Sequence, residues 1–286
     1  MSGLKIAVTG ANGLFGTALV RTFGEQHDVV PLTRRDADLA NPGELRSALL
    51  KTQVEVIVHS AAIRDPDTAE TNPELARRIN VEATAEAAQA AEELGAAVVL
   101  ISTDAVFDGK KRTPYVETDE PNPPSVYGRS KLEAERIVSR LPRHWMFRVS
   151  VLFGPARSES FVSKELRILS TGGVYTVATD QLGTTTYTLD AARTIRSVVE
   201  SGPAGLYHLC NQGPCTRAEL ALAAAELAGI STANLRSLPL AEMHRPGPRV
   251  AYSVMEMQAL QRAGFNLPRP WREALQEFVA TGDWKS

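Results

Sequence analysis

Between a short apolar run, Lys5–Thr9, and an amphipathic stretch opening at Leu14 lies Gly10-Ala11-Asn12-Gly13-Leu14-Phe15-Gly16, three glycines spaced three apart. Without Cβ atoms the chain can turn tightly out of a strand, bring its backbone close to a pyrophosphate, and pack the next helix against that strand. The free N–H groups at the start of the helix then favour an anion. Strand, loop and helix together are the first half of a βαβ unit. Gly10, Asn12, Gly13, Leu14, Phe15 and Gly16 are the expected contacts of a bound dinucleotide.

The rest of the first 150 residues repeats the alternation. Strand candidates are Lys5–Thr9, Asp28–Leu32, Val54–His59, Ala96–Ser102 and His144–Val149. Helix candidates lie at about Leu14–Phe23, Pro42–Lys51, Pro73–Leu94 and Val126–Arg140. Asn41-Pro42 and Asn72-Pro73 each set a capping residue before a first-turn proline, and Gly95 closes the long third helix. The predicted class is α/β, a Rossmann-type doubly wound parallel sheet. From Phe153 the pattern loosens into a helix near Phe161–Ser170, a strand near Val174–Ala178, a helix near Leu189–Glu200, a strand at Gly205–Cys210, and helices at Arg217–Ala228 and Pro268–Thr281. Ligands of such sheets sit outside the carboxyl ends of the strands, where late segments can close over them. The expected division is a dinucleotide-binding domain, 1–152 plus about 179–210, and a smaller C-terminal substrate-binding region, about 153–178 and 211–286.

With 31 basic and 33 acidic residues spread along 286 positions, there is no basic tract to follow a phosphodiester backbone, so nucleic acid is not an expected partner. The early apolar stretch Ile6-Ala7-Val8 is too short for a signal core or a membrane span, so a cytoplasmic protein without membrane attachment is expected. Cys210 and Cys215, even with His208, make only three ligands and no Cys-x-x-Cys; they read as ordinary reduced thiols.

At the end of the second strand a carboxylate accepts from a ribose 2′-hydroxyl, whereas an arginine pairs with a 2′-phosphate. The chain there reads Pro31-Leu32-Thr33-Arg34-Arg35-Asp36. Arg34 and Arg35 favour NADPH; Asp36 leaves NADH open.

The fourth strand runs into Ser102-Thr103-Asp104, and a later helix opens Ser125-Val126-Tyr127-Gly128-Arg129-Ser130-Lys131. Residues four apart share a helix face, so Tyr127 and Lys131 can point together at the strand end. An ammonium beside a phenol is expected to lower its pKa and let it exchange a proton with a carbonyl or alcohol oxygen. Thr103 would hydrogen-bond the same oxygen during hydride transfer, and Lys131 would reach the nicotinamide ribose. Tyr127, Lys131 and Thr103 are the expected catalytic residues.

The ordered set of glycine loop, Ser-Thr at a strand end and Tyr-x-x-x-Lys resembles the extended short-chain dehydrogenases/reductases, and within them the dTDP-4-dehydrorhamnose reductase group. The most specific stretches are Ser102-Thr103-Asp104-Ala105-Val106-Phe107-Asp108-Gly109, Pro114-Tyr115-Val116-Glu117 and Val126-Tyr127-Gly128-Arg129-Ser130-Lys131. Asp38-Leu39, His59-Ser60-Ala61-Ala62, Asn80, Asp180-Gln181-Leu182-Gly183 and His244-Arg245-Pro246 add to the match. The resemblance implies an NADP(H)-dependent reductase acting on the 4-keto group of a nucleotide-linked deoxy sugar. Asp38, Leu39, Ala61 and Ala62 would line the adenine and ribose side, with Ser60, Asn80 and Ser102 completing the cofactor contacts and His59 beside them. Thr103, Asp104, Gln181 and Arg245 would meet the substrate, Arg245 either through a phosphate or as a structural bridge to a carboxylate.

The departures fall where a sugar would sit. Ala105 and Val151 stand where the group carries an aromatic and a tryptophan, Thr184-Thr185-Thr186 follows Asp180-Gln181 in place of a Pro-Thr, and Gly247-Pro248-Arg249 replaces an Asn-Ser. Arg148-Val149-Ser150-Val151-Leu152-Phe153-Gly154 and Arg64-Asp65-Pro66-Asp67 lean toward another branch, the regulatory β subunit of methionine adenosyltransferase. The alternative reading is therefore a non-catalytic NADP-binding interaction protein. Ala18 stands where the group's bridging metal takes a glutamate, so no metal is expected; a homodimer stays open.

Overall fold

A computed structural model of the chain describes residues 3–156 and 158–285. Its centre is a six-stranded parallel sheet. Five strands come from the first half: β1 (Lys5–Thr9), β2 (Asp28–Leu32), β3 (Val56–His59), β4 (Ala97–Thr103) and β5 (His144–Val149). The sixth, Gly205–His208, joins beyond β5, giving the spatial order Gly205–His208, β5, β4, β3, β1, β2. The chain leaves β1 for β2 on one side and returns to place β3 on the other. That reversal opens a crevice at the carboxyl ends of β1 and β3, the place where open α/β sheets bind ligands.

Period-two alternation explains the layering. Ile6 and Val8, Val56 and Val58, and Ala97, Val99 and Ile101 belong to one core, whereas Ala7, Ile57, Val98 and Leu100 belong to the other. Both faces are thus apolar and covered, as parallel strands linked by helices require. Helix α1 (Leu14–Phe23) and the helix Thr188–Ser201 cover the first face; α2 (Glu44–Leu50), Ala83–Leu94 and Val126–Val138 cover the second.

The elements match the sequence reading with informative exceptions. The stretch expected to be one helix over Pro73–Leu94 is α-helical at Pro73–Arg77, π-helical at Arg78–Glu82 and α-helical again at Ala83–Leu94. A further helix, Pro66–Thr71, precedes it, capped by the Asp65 carboxylate, which accepts from the N–H groups of Asp67 and Thr68. Asn41 does not cap α2, because Gly43 adopts a left-handed φ of 81° and takes the N-cap position. Asn72 occupies its expected N-cap position without a side-chain capping bond. The strand expected at Gly205–Cys210 ends at His208, and the last long helix starts at Trp271.

Beyond residue 150 short strands build separate walls. Leu182–Gly183 pairs antiparallel with Cys215–Thr216 and parallel with Tyr252–Ser253, forming a small three-stranded sheet. Val151–Phe153 lies parallel to Thr185–Tyr187, and Tyr175–Ala178 to Leu235–Leu238. Among the described residues no helix is long and apolar enough to cross a membrane.

Candidate active site

The crevice between β1 and β3 is a cleft of about 300 Å³. Gly10, Asn12, Gly13, Leu14, Phe15 and Gly16 all line it. Gly10 has φ 65°, and a Cβ there would lie 2.9 Å from the Ala61 Cα; a Cβ on Gly16 would lie 2.0 Å from the Gly10 carbonyl oxygen. The first glycine makes the turn beside the β3 loop, and the last lets α1 close on that turn. No acidic residue occupies the first turn of α1, so its positive end faces the cleft uncompensated. This cradle fits a dinucleotide pyrophosphate.

At the far end the two arginines and the aspartate separate. Arg34 lines the cleft, its guanidinium donating to Asp38 at 3.0 and 3.1 Å, while its side chain stays 80% exposed. Asp38 and Leu39 line the same end. Arg35 does not line the cleft, and Asp36 is folded back on Thr33, accepting from its N–H at 2.7 Å and its hydroxyl at 2.8 Å. The carboxylate that would have read a 2′-hydroxyl is engaged in a turn, leaving the exposed Arg34 cation as the group that lines this end of the cleft.

The opposite wall is the loop after β3. Ser60, Ala61 and Ala62 line the cleft, and the Thr9 hydroxyl accepts from the Ser60 and Ala61 N–H groups, each at 3.2 Å. With those lone pairs engaged, Thr9 donates to His59 Nδ1 at 3.0 Å, which leaves the imidazole proton on Nε2. His59 is only 1% exposed and sits behind the cleft rather than lining it. Burial, aided by the Lys131 charge, pulls its pKa down to about 3, so it is a neutral brace. Asn80 also stands outside the cleft, correcting the expectation of a cofactor contact. It is buried, bonds both backbone groups of Ile63 and donates to Ser130 Oγ at 2.9 Å. The π turn carries Asn80 to this bracket, which ties the loop to the helix bearing Tyr127.

That helix, Val126–Val138, is capped by Ser125 and presents Tyr127 and Lys131 to the same cleft as the glycine loop. Gly128 makes the approach feasible: a Cβ there would lie 2.2 Å from the Ala105 carbonyl oxygen. The Tyr127 hydroxyl consequently faces Thr103. Thr103 itself donates to Asp104 Oδ1 and accepts from the Ala105 N–H, each at 3.2 Å. One expectation fails here. Tyr127 is not lowered by Lys131; burial above all pushes it up to about 12, against the lowering hydrogen bond of Thr103, with lesser influences from the Asp104 charge, which raises it, and Arg64, which lowers it. Lys131 is 3% exposed and burial pulls it down to about 8, with Glu135 acting against that fall. The phenol therefore holds its proton at neutral pH.

Glu135, one turn beyond Lys131, escaped the sequence reading. It accepts from Arg148 Nε at 2.9 Å and a terminal Arg148 nitrogen at 2.7 Å, and from Ser102 Oγ at 2.5 Å. Ser102 lines the cleft, but its hydroxyl is spent on this buried pair. Tyr-x-x-x-Lys-x-x-x-Glu was the available signal, since a third residue at the same spacing continues the same face.

The remaining substrate candidates disperse. Asp104 is half-buried beside Thr103, with Ser253 facing its carboxyl; burial pushes its pKa up. Gln181 is half-buried, and its carbonyl accepts from the Arg217 N–H. Arg245 lies on a rim 3.7 Å from Asp67, which pairs more closely with Arg249 at 3.0 Å. Thr103, Asp104, Gln181 and Arg245 do not line the cleft that holds the glycine loop. Arg64, which does, donates to the Glu159 carbonyl and Ser158 Oγ across its mouth. Cys210 and Cys215 are buried thiols whose pKa values burial pushes up to about 12 and about 11.

The RmlD substrate binding domain family matches residues 4–283. The spore coat polysaccharide biosynthesis protein SpsK of Bacillus subtilis is 35% identical over 277 residues, 96% of each chain. A dTDP-4-dehydrorhamnose reductase of Mycolicibacterium smegmatis is 32% identical over 280 residues, covering 96% of this chain and 85% of that one. Among solved structures, the dTDP-4-dehydrorhamnose reductase of Bacillus anthracis in complex with NADP superposes with a TM-score of 0.92 at 29% identity, over 98% of this chain and 99% of that one. With a glycine cradle, a Tyr-x-x-x-Lys helix and likeness along almost its whole length, the chain belongs to the RmlD substrate binding domain family of extended short-chain dehydrogenases/reductases.

Proposed function

We propose that this protein is an NADPH-dependent reductase of the 4-keto group of a dTDP-linked deoxy sugar. The observation that carries the reading is the convergence of Tyr127 and Lys131 on the cleft of the glycine loop, with Thr103 facing Tyr127. Relatives named dTDP-4-dehydrorhamnose reductase, one of them in complex with NADP, support the substrate and cofactor.

Bound in the cleft, NADPH supplies the hydride. The glycine loop and the start of α1 hold its pyrophosphate, Arg34 its 2′-phosphate, and Lys131 its nicotinamide ribose hydroxyls. Tyr127 donates its proton to the carbonyl oxygen as that oxygen gains charge, and its pKa of about 12 keeps the proton in place until then. Thr103 donates a hydrogen bond to the same oxygen, for which its hydroxyl turns away from Asp104. Residues 153–178 and 211–286 supply the substrate-binding region, with Arg245 exposed on its rim for a phosphate. A cytoplasmic homodimer belongs to the same proposal.

Following NADPH absorbance with dTDP-linked 4-keto-6-deoxy sugars tests it directly. Tyr127→Phe is expected to keep NADPH affinity and to lower turnover by about 100- to 10,000-fold, the usual worth of general acid catalysis. Wild-type protein that binds NADPH but never oxidises it with any such sugar, and instead holds a partner protein stoichiometrically, supports the non-catalytic alternative.

A further inference from the structure

On the side of Thr103 away from the glycine cleft, the small three-stranded sheet meets the end of β4. Arg217, the first residue of the helix Arg217–Leu227, is 8% exposed, and one terminal nitrogen of its guanidinium, NH1, is buried without a hydrogen-bond partner. Among the described residues it forms no ion pair within 4 Å, although Asp104 is near enough for each charge to favour the other. Ser253 completes the cluster: a Cβ built on Gly183 would stand 2.8 Å from Ser253 Oγ and 4.0 Å from the second terminal nitrogen of Arg217. The missing side chain thus lets a cation, a hydroxyl and the Asp104 carboxyl converge beside the paired strands. Asp104 in turn is bonded to Thr103, which faces Tyr127.

An unpaired buried guanidinium is costly unless something supplies its missing acceptor. A substrate carboxylate or phosphate would meet Asp104 as well as Arg217, and the two charges nearly cancel. A neutral hydroxyl satisfies both, accepting from the guanidinium while donating to the carboxylate. Resting on the reductase reading above, we propose that Arg217 is a specificity-determining residue, which with Asp104 brackets a hydroxyl on the sugar carbon next to the carbonyl that is reduced. The selected substrate class is the α-hydroxy ketone, and the rejected one is its deoxy counterpart, whose binding leaves the Arg217 nitrogen buried and without a partner.

The test compares a dTDP-linked 4-keto-6-deoxyhexose carrying its 3-hydroxyl with the 3-deoxy analogue, in wild type, Arg217→Met and Arg217→Lys. Wild type is expected to prefer the hydroxylated sugar. Arg217→Met is expected to lower kcat/KM for that sugar roughly ten- to a hundredfold, the worth of a hydrogen bond to a charged group, and to leave the deoxy analogue and NADPH affinity unchanged. Should Arg217→Met fail to fold, Arg217→Lys still narrows the preference, because an ammonium keeps the charge without the forked reach. An equal fall on both sugars, or an unchanged ratio in either folded variant, overturns the assignment while leaving the reductase reading intact. No turnover of either sugar by wild type defeats the reductase reading itself, and the assignment with it.

Discussion

Replacing Glu135 by glutamine takes one charge out of a pair that water barely reaches. Arg148 is 3% exposed and Glu135 5%, and the guanidinium also lies 5.0 Å above the Phe107 ring, with no second carboxylate in contact among the described residues. Removing one member of such a pair leaves an uncompensated buried cation, at a cost of about 3–5 kcal/mol. In a chain of this size each kcal/mol moves the midpoint by roughly 2–4 °C, so thermal unfolding should fall by about 6–20 °C. The second effect is local. Glu135 is the group that holds the Lys131 ammonium up against burial, so its loss should take Lys131 below about 8 and bring the alkaline decline of kcat/KM to lower pH. The pair Glu135→Leu/Arg148→Met separates the two effects, because apolar replacements remove the stranded charge. Stability should return in the double variant, whereas the displaced alkaline limb should remain. Urea unfolding and pH–rate profiles with NADPH read both quantities. A loss under about 1 kcal/mol in Glu135→Gln, or an unmoved limb in a folded variant, would refute the reasoning.

Three further outcomes follow from the same physics. Lys131 falls from 10.5 to about 8 on folding, so the unfolded chain binds its proton more tightly and the residue's contribution makes stability rise between about pH 8 and 10.5. Lys131→Met should therefore lose activity yet unfold up to about 3 kcal/mol later at pH 7, with a flatter stability–pH curve across that window. Glu165 is fully buried with both carboxyl oxygens unpartnered, and burial raises its pKa from 4.5 to about 8. Its contribution is most favourable below pH 4.5 and is lost as the pH rises through about 8, so Glu165→Met should gain up to about 4 kcal/mol at pH 8 and little at pH 4 in denaturant titrations. Gly128→Ala places a methyl against the Ala105 carbonyl; the helix must retreat, with an expected stability loss of about 1–3 kcal/mol and a fall in kcat larger than any change in NADPH affinity.

Legibility tracked how locally a feature is encoded. The sheet could be read because each parallel strand is apolar on both faces, and because Gly95, at φ 64°, ends its helix in a conformation that glycine adopts without strain. The helix expected near Phe161–Ser170 forms there, its start marked by Ser160 and Ser163 capping each other. The interruption at Arg78–Glu82 could not be read, since arginine, isoleucine, asparagine, valine and glutamate fit a π turn no differently from an α turn. What selects the wider turn is tertiary: Asn80 reaches Ile63 and Ser130 from it.

The same distinction divides the site. Gly10, Gly16, Tyr127 and Lys131 act through backbone turns and helical spacing, which sequence distance reports directly. Arg217 acts through a sheet that joins residues near 183, 216 and 253, and its own neighbours Thr216 and Glu219 form an ordinary capping box that disguises it as a surface helix start. Ala105 and Val151 show the complementary case. Their small side chains were legible as missing aromatic surfaces, but what stands beside Asp104 is a cation and a hydroxyl supplied from more than 100 positions downstream. A pocket whose stacking surfaces are exchanged for polar brackets gains selectivity from hydrogen bonds left unmade by the wrong sugar, where an aromatic face would accept either. The substrate of this chain is therefore decided on the wall formed by Gly183, Arg217 and Ser253, and a change confined to that wall should alter which sugar is reduced without altering the reduction.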